Sequence, residues 1–331
     1  MRQIAFDAIA DAARHVYAAA VRTPLIRLDL PLQNTGGRTP EIYLKLESLQ
    51  PIGSFKIRGA WNAIRKLPQD QLRGGVWTVS AGNAAQGVAL AARLAGVPCS
   101  VMVMDTTPQA KLRAIDRLGA TIVQCSYDEC WKTVESHASS RMRGHFIHPF
   151  DDDDFIAGNA TAGLEILEDL PDVDAVVAAL GGGGLLSGVA SAIRAKKPGV
   201  KIFAAEPETA APLSTSLERG QASYFEQWQP SFVDGAGGKS VLPSMWPLLR
   251  ALVDDSIVVR LSDVAAAMKL AAERVHVVAE GAGATAIAAA LSGRAGNGKV
   301  VAVVSGGNID LSRFAELVAE HDRSRGHEIT K

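Results

Sequence analysis

Cysteine is scarce in this chain of 331 residues, where only Cys99, Cys125 and Cys130 occur. An odd count without repeated spacing excludes a disulfide framework and points to a reducing, cytoplasmic setting. No histidine or cysteine pair completes a tetrahedral metal set with Cys125 and Cys130, so the three read as buried thiols. An excess of charge is missing too. The formal net charge is −1, which offers no basic face to nucleic acid or to an anionic membrane. No run of about 18 uncharged apolar residues free of a glycine cluster occurs, so no membrane span is expected. The first twenty residues place apolar positions at helical spacing among Asp7, Asp11, Arg14 and His15. They lack a continuous apolar core and read as an amphipathic helix rather than a signal peptide. Neither a Ser-His-Asp order, nor H-E-x-x-H, nor G-x-x-x-x-G-K-[ST] is present, which argues against hydrolase, zinc-protease and P-loop readings. No internal repeat of fixed period is visible.

What the chain does contain is apolar material, 47% of residues against 21% charged, enough for a large core. Its length exceeds the usual single core, so two subdomains are expected. Short β-rich runs alternate with alanine-rich helical ones. Gly75–Ser80, Cys99–Met104, Ala120–Gln124, Ala175–Leu180, Lys201–Ala205 and Lys299–Val304 read as strands. Ala84–Leu94, closed by Gly96, and Gln109–Leu118 read as helices. Strands written as continuous apolar runs between helices imply parallel sheets covered on both faces. The expected class is α/β, with two three-layer α/β/α domains. Residues 48–143 are expected to form a smaller domain, inserted within a larger one of residues 1–47 and 144–331. The acidic run Asp151–Asp154 suits a turn and helix start better than a metal site. The polar residues His321–Lys331 carry no apolar period, and a frayed tail is expected there.

Chemistry concentrates in four segments. Lys56 lies in GSFKIRGA (Gly53–Ala60) between Phe55 and Ile57. A hydrophobic wall desolvates an amine, lowers its pKa and frees it as a nucleophile or imine former; most lysines are instead surface residues. The run Gly181–Gly184 stands between a strand and a helix, where backbone N–H groups can converge on a phosphate, although a plain flexible loop has the same composition. In VSAGNAAQ (Val79–Gln86), Ser80, Gly82 and Asn83 sit at a strand-to-helix turn whose donors suit a carboxylate or a phenolic oxygen; a helix cap is the ordinary alternative. In SGGN (Ser305–Asn308) a serine hydroxyl offers a ring nitrogen a neutral partner, where an aspartate would stabilise its protonated form. Glu280 could relay protons if buried, but a salt-bridged surface glutamate is the commoner outcome.

These segments, in order over nearly the whole chain, resemble the serine/threonine dehydratases of the tryptophan-synthase-like, fold type II, pyridoxal 5′-phosphate (PLP) enzymes. The resemblance also runs through RTPL (Arg22–Leu25), LKLE (Leu44–Glu47), HPFDD (His148–Asp152) and IAGNAT (Ile156–Thr161). AAEP (Ala204–Pro207), DGAG (Asp234–Gly237) and EGAGA (Glu280–Ala284) complete it. It implies a PLP site in the cleft between the two domains, with Lys56 holding the cofactor as a Schiff base and acting as catalytic base. It further implies that Phe55 packs on the ring and that Asn83 contacts the phenolic oxygen. By the same resemblance Gly181, Gly182, Gly183, Gly184 and Leu185 bind the phosphate, and Ser305 meets the ring nitrogen. Ser80, Ala81, Gly82, Asn83 and Ala84 would hold the substrate carboxylate. The implied activity is that of an ammonia-lyase converting a β-hydroxy-α-amino acid to a 2-oxo acid and ammonia, in a homodimer.

Three departures from the family pattern sharpen the expectation. Ala84 stands where the family loop usually carries histidine, which suggests room for a β-substituent larger than that of threonine, as in 3-hydroxyaspartate or phenylserine. Glu206 matches a divalent-cation ligand and Ala210 could add its carbonyl, but Pro212 replaces an aspartate, weakening any Mg²⁺ site. Ala81 replaces the serine that racemases of the family use on the opposite face, favouring elimination over racemisation. The alternatives on the same scaffold are a racemase or a β-replacement synthase; a PLP-binding protein without turnover would be expected to lack Lys56 or the glycine run. Little sequence follows SGGN, so no C-terminal regulatory domain is expected.

Overall fold

The computed structural model describes residues 2–30 and 40–328. Among the described residues ten strands form two sheets: β1 (Leu25–Arg27), β2 (Glu41–Lys45), β3 (Val76–Val79), β4 (Cys99–Met104), β5 (Thr121–Cys125), β6 (His145–Phe146), β7 (Ala175–Ala179), β8 (Lys201–Pro207), β9 (Asp255–Val259) and β10 (Lys299–Val303). The larger sheet runs β1-β2-β10-β7-β8-β9 and the smaller β5-β4-β3-β6. Every pairing is parallel except β1 with β2. The expected strands are all present, with ends displaced by one or two residues.

The apolar runs are continuous because both faces of each sheet are covered. In β7, Val176 and Ala178 enter one core while Ala175, Val177 and Ala179 enter the other. β10 divides the same way, Val301 and Val303 against Val300 and Ala302. This is the period-2 alternation of a strand, hidden in the sequence because neither face is polar. The smaller sheet repeats it, with Val76 and Val101 on one side and Trp77 and Met102 on the other. The Gly281–Leu291 helix, GAGATAIAAAL, is buried from Gly281 to Ala290, and its small side chains let it press against the large sheet.

The acidic run serves the fold. Asp152 caps the Asp153–Asp169 helix by accepting from Phe155 N–H at 2.8 Å. Asp151 and Asp153 hold Arg2. The expected frayed tail is corrected: the Leu311–Glu328 helix runs through His321 to Glu328, and residues 329–331 lie outside the described ones. All three cysteines are free and buried. Cys125 and Cys130 sulfurs lie 3.2 Å apart as a thiol pair.

Candidate active site

The candidate residues gather beyond the carboxyl ends of β3, β7 and β10, which lead directly into Ser80–Asn83, Gly181–Gly184 and Ser305–Asn308. Open parallel sheets bind ligands at such ends, because helix N-termini and uncommitted loop N–H groups converge there. Contacts from helices of the small sheet to the loop after Phe232 close the cleft. Lys111 pairs with Asp234 at 2.6 Å, and Lys239 lies 5.2 Å from the Tyr127 ring centre.

Lys56 begins the Lys56–Arg65 helix. The turn before it requires glycine: Gly53 has φ +71°, and a Cβ there would lie 2.7 Å from Asn308 Oδ1. Backbone bonds then tie this turn to SGGN, from Phe55 N–H to the Ser305 carbonyl at 3.0 Å and from Gly307 N–H to the Gly53 carbonyl at 2.9 Å. Lys56 Nζ donates to the Pro149 carbonyl at 2.5 Å. The Phe55 and Phe155 rings stand 5.1 and 5.3 Å from Nζ. Burial pushes the Lys56 pKa down to about 7, the favourable ring faces notwithstanding. At neutral pH a substantial fraction is the free amine.

The helix carrying Lys56 is anchored by a buried ion cluster. Arg58, fully buried, reaches Glu47 at 2.7 Å and Glu165 at 2.6 Å, and Lys45 meets Glu165 at 2.6 Å. Two cations face two carboxylates, so no charge is left uncompensated in the interior. Gly87 contributes by absence: a Cβ there would stand 3.0 Å from the Lys56 carbonyl.

Asn83 starts the Asn83–Ala95 helix, which ends at Gly96 in the left-handed conformation, φ +71°. Its amide is fixed at both ends. Nδ2 donates to Glu280 Oε1 at 2.7 Å and Oδ1 accepts from Asn308 Nδ2 at 2.6 Å. Glu280 is buried, not on the surface as sequence reasoning preferred. Burial and, next, the charge of Asp234 raise its pKa to about 7, against the stabilising bond from Asn83. Ser305 is also buried, and the next residue, Gly306, packs against this group, where a Cβ would stand 2.4 Å from Glu280 Oε1. Ser80, Ala81, Gly82 and Asn83 are half-buried, whereas Ala84 is buried within the helix.

The four glycines are packed. A Cβ on Gly182 would stand 2.2 Å from the Phe150 ring, one on Gly184 2.9 Å from the Phe150 carbonyl, and one on Gly181 2.6 Å from the Gly235 carbonyl. Gly183 has φ +93° and caps the Gly184–Lys196 helix. First-turn N–H groups, here those of Gly184, Leu185 and Leu186, have no intrahelical acceptor and face forward with the helix dipole. Thus Phe150 spans the site, adjoining the residue that holds Lys56 and seated on the glycine loop.

At the expected cation ligands Glu206 and Ala210, the Glu206 carboxylate is committed to a helix end. Both Glu206 oxygens are taken: Oε1 accepts from Leu213 N–H at 2.8 Å, and Oε2 from Ser214 N–H at 2.8 Å and the Ser256 hydroxyl at 2.5 Å. The carboxylate caps the Pro212–Arg219 helix, with Pro212 at its first position. Burial raises its pKa to about 7. A divalent ion needs several free oxygen ligands, and this donor set does not fit one.

Sequence reasoning assigned no role to Pro149, Phe150, Asn308 or Gly87. All four lie inside or beside motifs quoted above, which was the available signal. A backbone carbonyl and a missing side chain carry no residue-type signature of their own.

The pyridoxal-phosphate dependent enzyme family matches residues 16–306. The chain belongs to this family, on its serine/threonine dehydratase branch. It is 40% identical over 318 residues to L-threonine ammonia-lyase of Thermotoga maritima, covering 95% of this chain and 78% of that protein. It is 36% identical to the catabolic L-threonine dehydratase of Staphylococcus aureus, covering 92% and 90%. Among solved structures, the processed threonine deaminase isoform 2 of Solanum lycopersicum superposes with TM-score 0.83 at 33% identity, over 95% and 92% of the two chains. Maize serine racemase superposes with TM-score 0.83 at 32% identity, over 98% and 99%.

Proposed function

We propose that this enzyme is a PLP-dependent ammonia-lyase that converts a β-hydroxy-α-amino acid, including bulkier ones than threonine, to a 2-oxo acid and ammonia. The observation that carries the reading is the buried Lys56 amine, held near a pKa of 7 and hydrogen-bonded into the same wall as the glycine loop. The residues present fit the cofactor. The Gly181–Gly184 run packs too closely against Phe150 and Gly235 to admit side chains, and it leads into the helix N–H donors of Gly184, Leu185 and Leu186, which suit a phosphate. Asn83 is oriented by Glu280 and Asn308 to meet a phenolic oxygen, and Ser305 offers a ring nitrogen a neutral partner. Bound there, PLP supplies an electron sink for the substrate Cα.

This chain's own residues do the rest. The Ser80–Ala84 turn holds the substrate carboxylate with backbone N–H groups, fixing which Cα bond is presented to the amine. Lys56 Nζ, in its neutral form, accepts the α-proton and can return it to the β-hydroxyl, which leaves as water; addition of water to the dehydrated product then releases ammonia and the 2-oxo acid. Ala81 offers no acid on the opposite face, which favours elimination over the racemisation named for the maize neighbour. The reading includes a small domain of residues 48–143 within a large one of residues 1–47 and 144–331. Because β6 joins the smaller sheet, the downstream boundary moves past Phe146. It also includes a homodimer in the cytoplasm. No described helix is long and apolar enough to cross a membrane.

The test is ammonia and 2-oxo acid release from a panel of β-hydroxy amino acids, with Lys56→Ala alongside. Turnover in the wild type and its loss by three orders of magnitude or more in the variant is expected. Retention of turnover by Lys56→Ala would overturn the proposal.

A further inference from the structure

An apolar cavity opens against the glycine loop; apart from Gly181 and Gly182, which it shares with the proposed phosphate site, no residue given a role above except Phe150 lines it. Its walls are Trp131, Phe150, Leu180, Val241, Leu242 and Leu249, and it meets the loop at Gly181 and Gly182. Phe150 connects it to the chemistry, since the preceding carbonyl, that of Pro149, accepts from Lys56 Nζ. We propose that this cavity receives the substrate's β-substituent and selects an apolar one, an aromatic ring in particular. The inference rests on the lyase reading above and names the substrate class within it.

The chemistry of the lining decides between the large substituents. Trp131 lies on the Tyr127–Ser136 helix, and its single polar atom, Nε1, is already bonded to Glu135 at 2.9 Å. What it offers the cavity is therefore ring surface. Phe150 adds a second ring, held edge-on to His148 with centroids 4.6 Å apart. Aromatic groups pair favourably with such rings in offset or edge geometry. Ser240 supplies the one polar side chain in the lining besides the indole N–H, and no charged residue lines the cavity. The neighbouring cation, Lys239, is engaged by the Trp228 and Tyr127 rings at 4.2 and 5.2 Å. A β-carboxylate placed here would be desolvated without a partner, which is strongly unfavourable. The methyl group of threonine would leave most of the cavity unfilled. The cavity is about 80 Å³, less than the roughly 150 Å³ that encloses benzene completely, so a ring would extend from it into the cleft towards Cα.

The experiment compares kcat/KM of the PLP-loaded enzyme for phenylserine, threonine and 3-hydroxyaspartate. In parallel, dissociation constants of the unreactive L-phenylalanine and L-aspartate are read from tryptophan fluorescence. Phenylserine is expected to exceed threonine by at least tenfold and 3-hydroxyaspartate by at least a hundredfold, with phenylalanine bound more tightly than aspartate. Trp131→Arg should narrow or reverse the phenylserine to 3-hydroxyaspartate ratio, and Trp131→Phe should largely keep it. A preference for threonine or 3-hydroxyaspartate would overturn this inference and leave the lyase reading standing. If no substrate released a 2-oxo acid, the lyase reading would fail, and the two dissociation constants would still decide the character of the cavity.

Discussion

Lys56 is a lysine made unusual by its surroundings. No carboxylate shifts it; burial alone lowers its pKa to about 7, because a charged ammonium loses more solvation there than two ring faces restore. If this amine is the base, only its neutral form accepts a proton. In the holoenzyme kcat, which reports the substrate-bound state where the amine is released, should then rise about tenfold per pH unit below 7 and level off above it. A pH profile of initial rates checks this, and a limb displaced above pH 9 would contradict the assignment. Glu280 shows the opposite sign for the same reason, a carboxyl raised to about 7. Its bond to Asn83 means that the amide's orientation depends on a group that titrates in the working range.

At the scale of elements, the Lys56–Arg65 helix is held by its ends and by its underside. Arg58, Lys45, Glu47 and Glu165 form a buried charge set, which Lys45 extends towards Asp169 at 3.8 Å. Replacing one member leaves an unpaired charge, which typically costs about 3–5 kcal/mol. Arg58→Met should therefore lower the stability of the apoenzyme by about that amount in denaturant titration, more than most single changes. The Pro212–Arg219 helix carries a different consequence. Because Glu206 is used as its cap, EDTA and added Mg²⁺ should leave both turnover and Tm unchanged; a Tm rise of several degrees with Mg²⁺ would show that the carboxylate can be drawn to a cation.

For the whole molecule, the raised pKa of Glu206 sets a pH trend. Its folded value of about 7 lies above that of an unfolded glutamate, about 4.3. The fold thus binds the proton more tightly than the unfolded chain. Stability from this group is complete below the unfolded pKa and is lost as pH rises through about 7. Relative to Glu206→Gln, which does not titrate, wild-type apoenzyme should lose Tm between pH 5 and 8, as calorimetry of the two proteins would show. A constant difference across that range would mean that the carboxyl is not raised.

The sequence by itself determined six of the ten described strands and the positions of the candidate loops. Strands such as β7 and β10, covered on both faces, have to be apolar throughout, and helices ending at Gly96 have to find a residue that tolerates positive φ. Lys56, Asn83, Gly181–Gly184 and Ser305 could be named as candidates because each lies within an ordered series of motifs, not because its own chemistry is distinctive. What only the tertiary structure decided is environment. Whether Glu280 is buried, whether Glu206 faces a cation or a helix end, and whether Ala84 opens a pocket or packs in a helix depend on neighbours that are distant along the chain. The same holds for Trp131 and Phe150, two ordinary apolar residues until the fold sets them around one cavity beside the glycine loop. Desolvation and contact are properties of assembled surfaces, and a linear pattern records which residues are available for them without recording which ones meet.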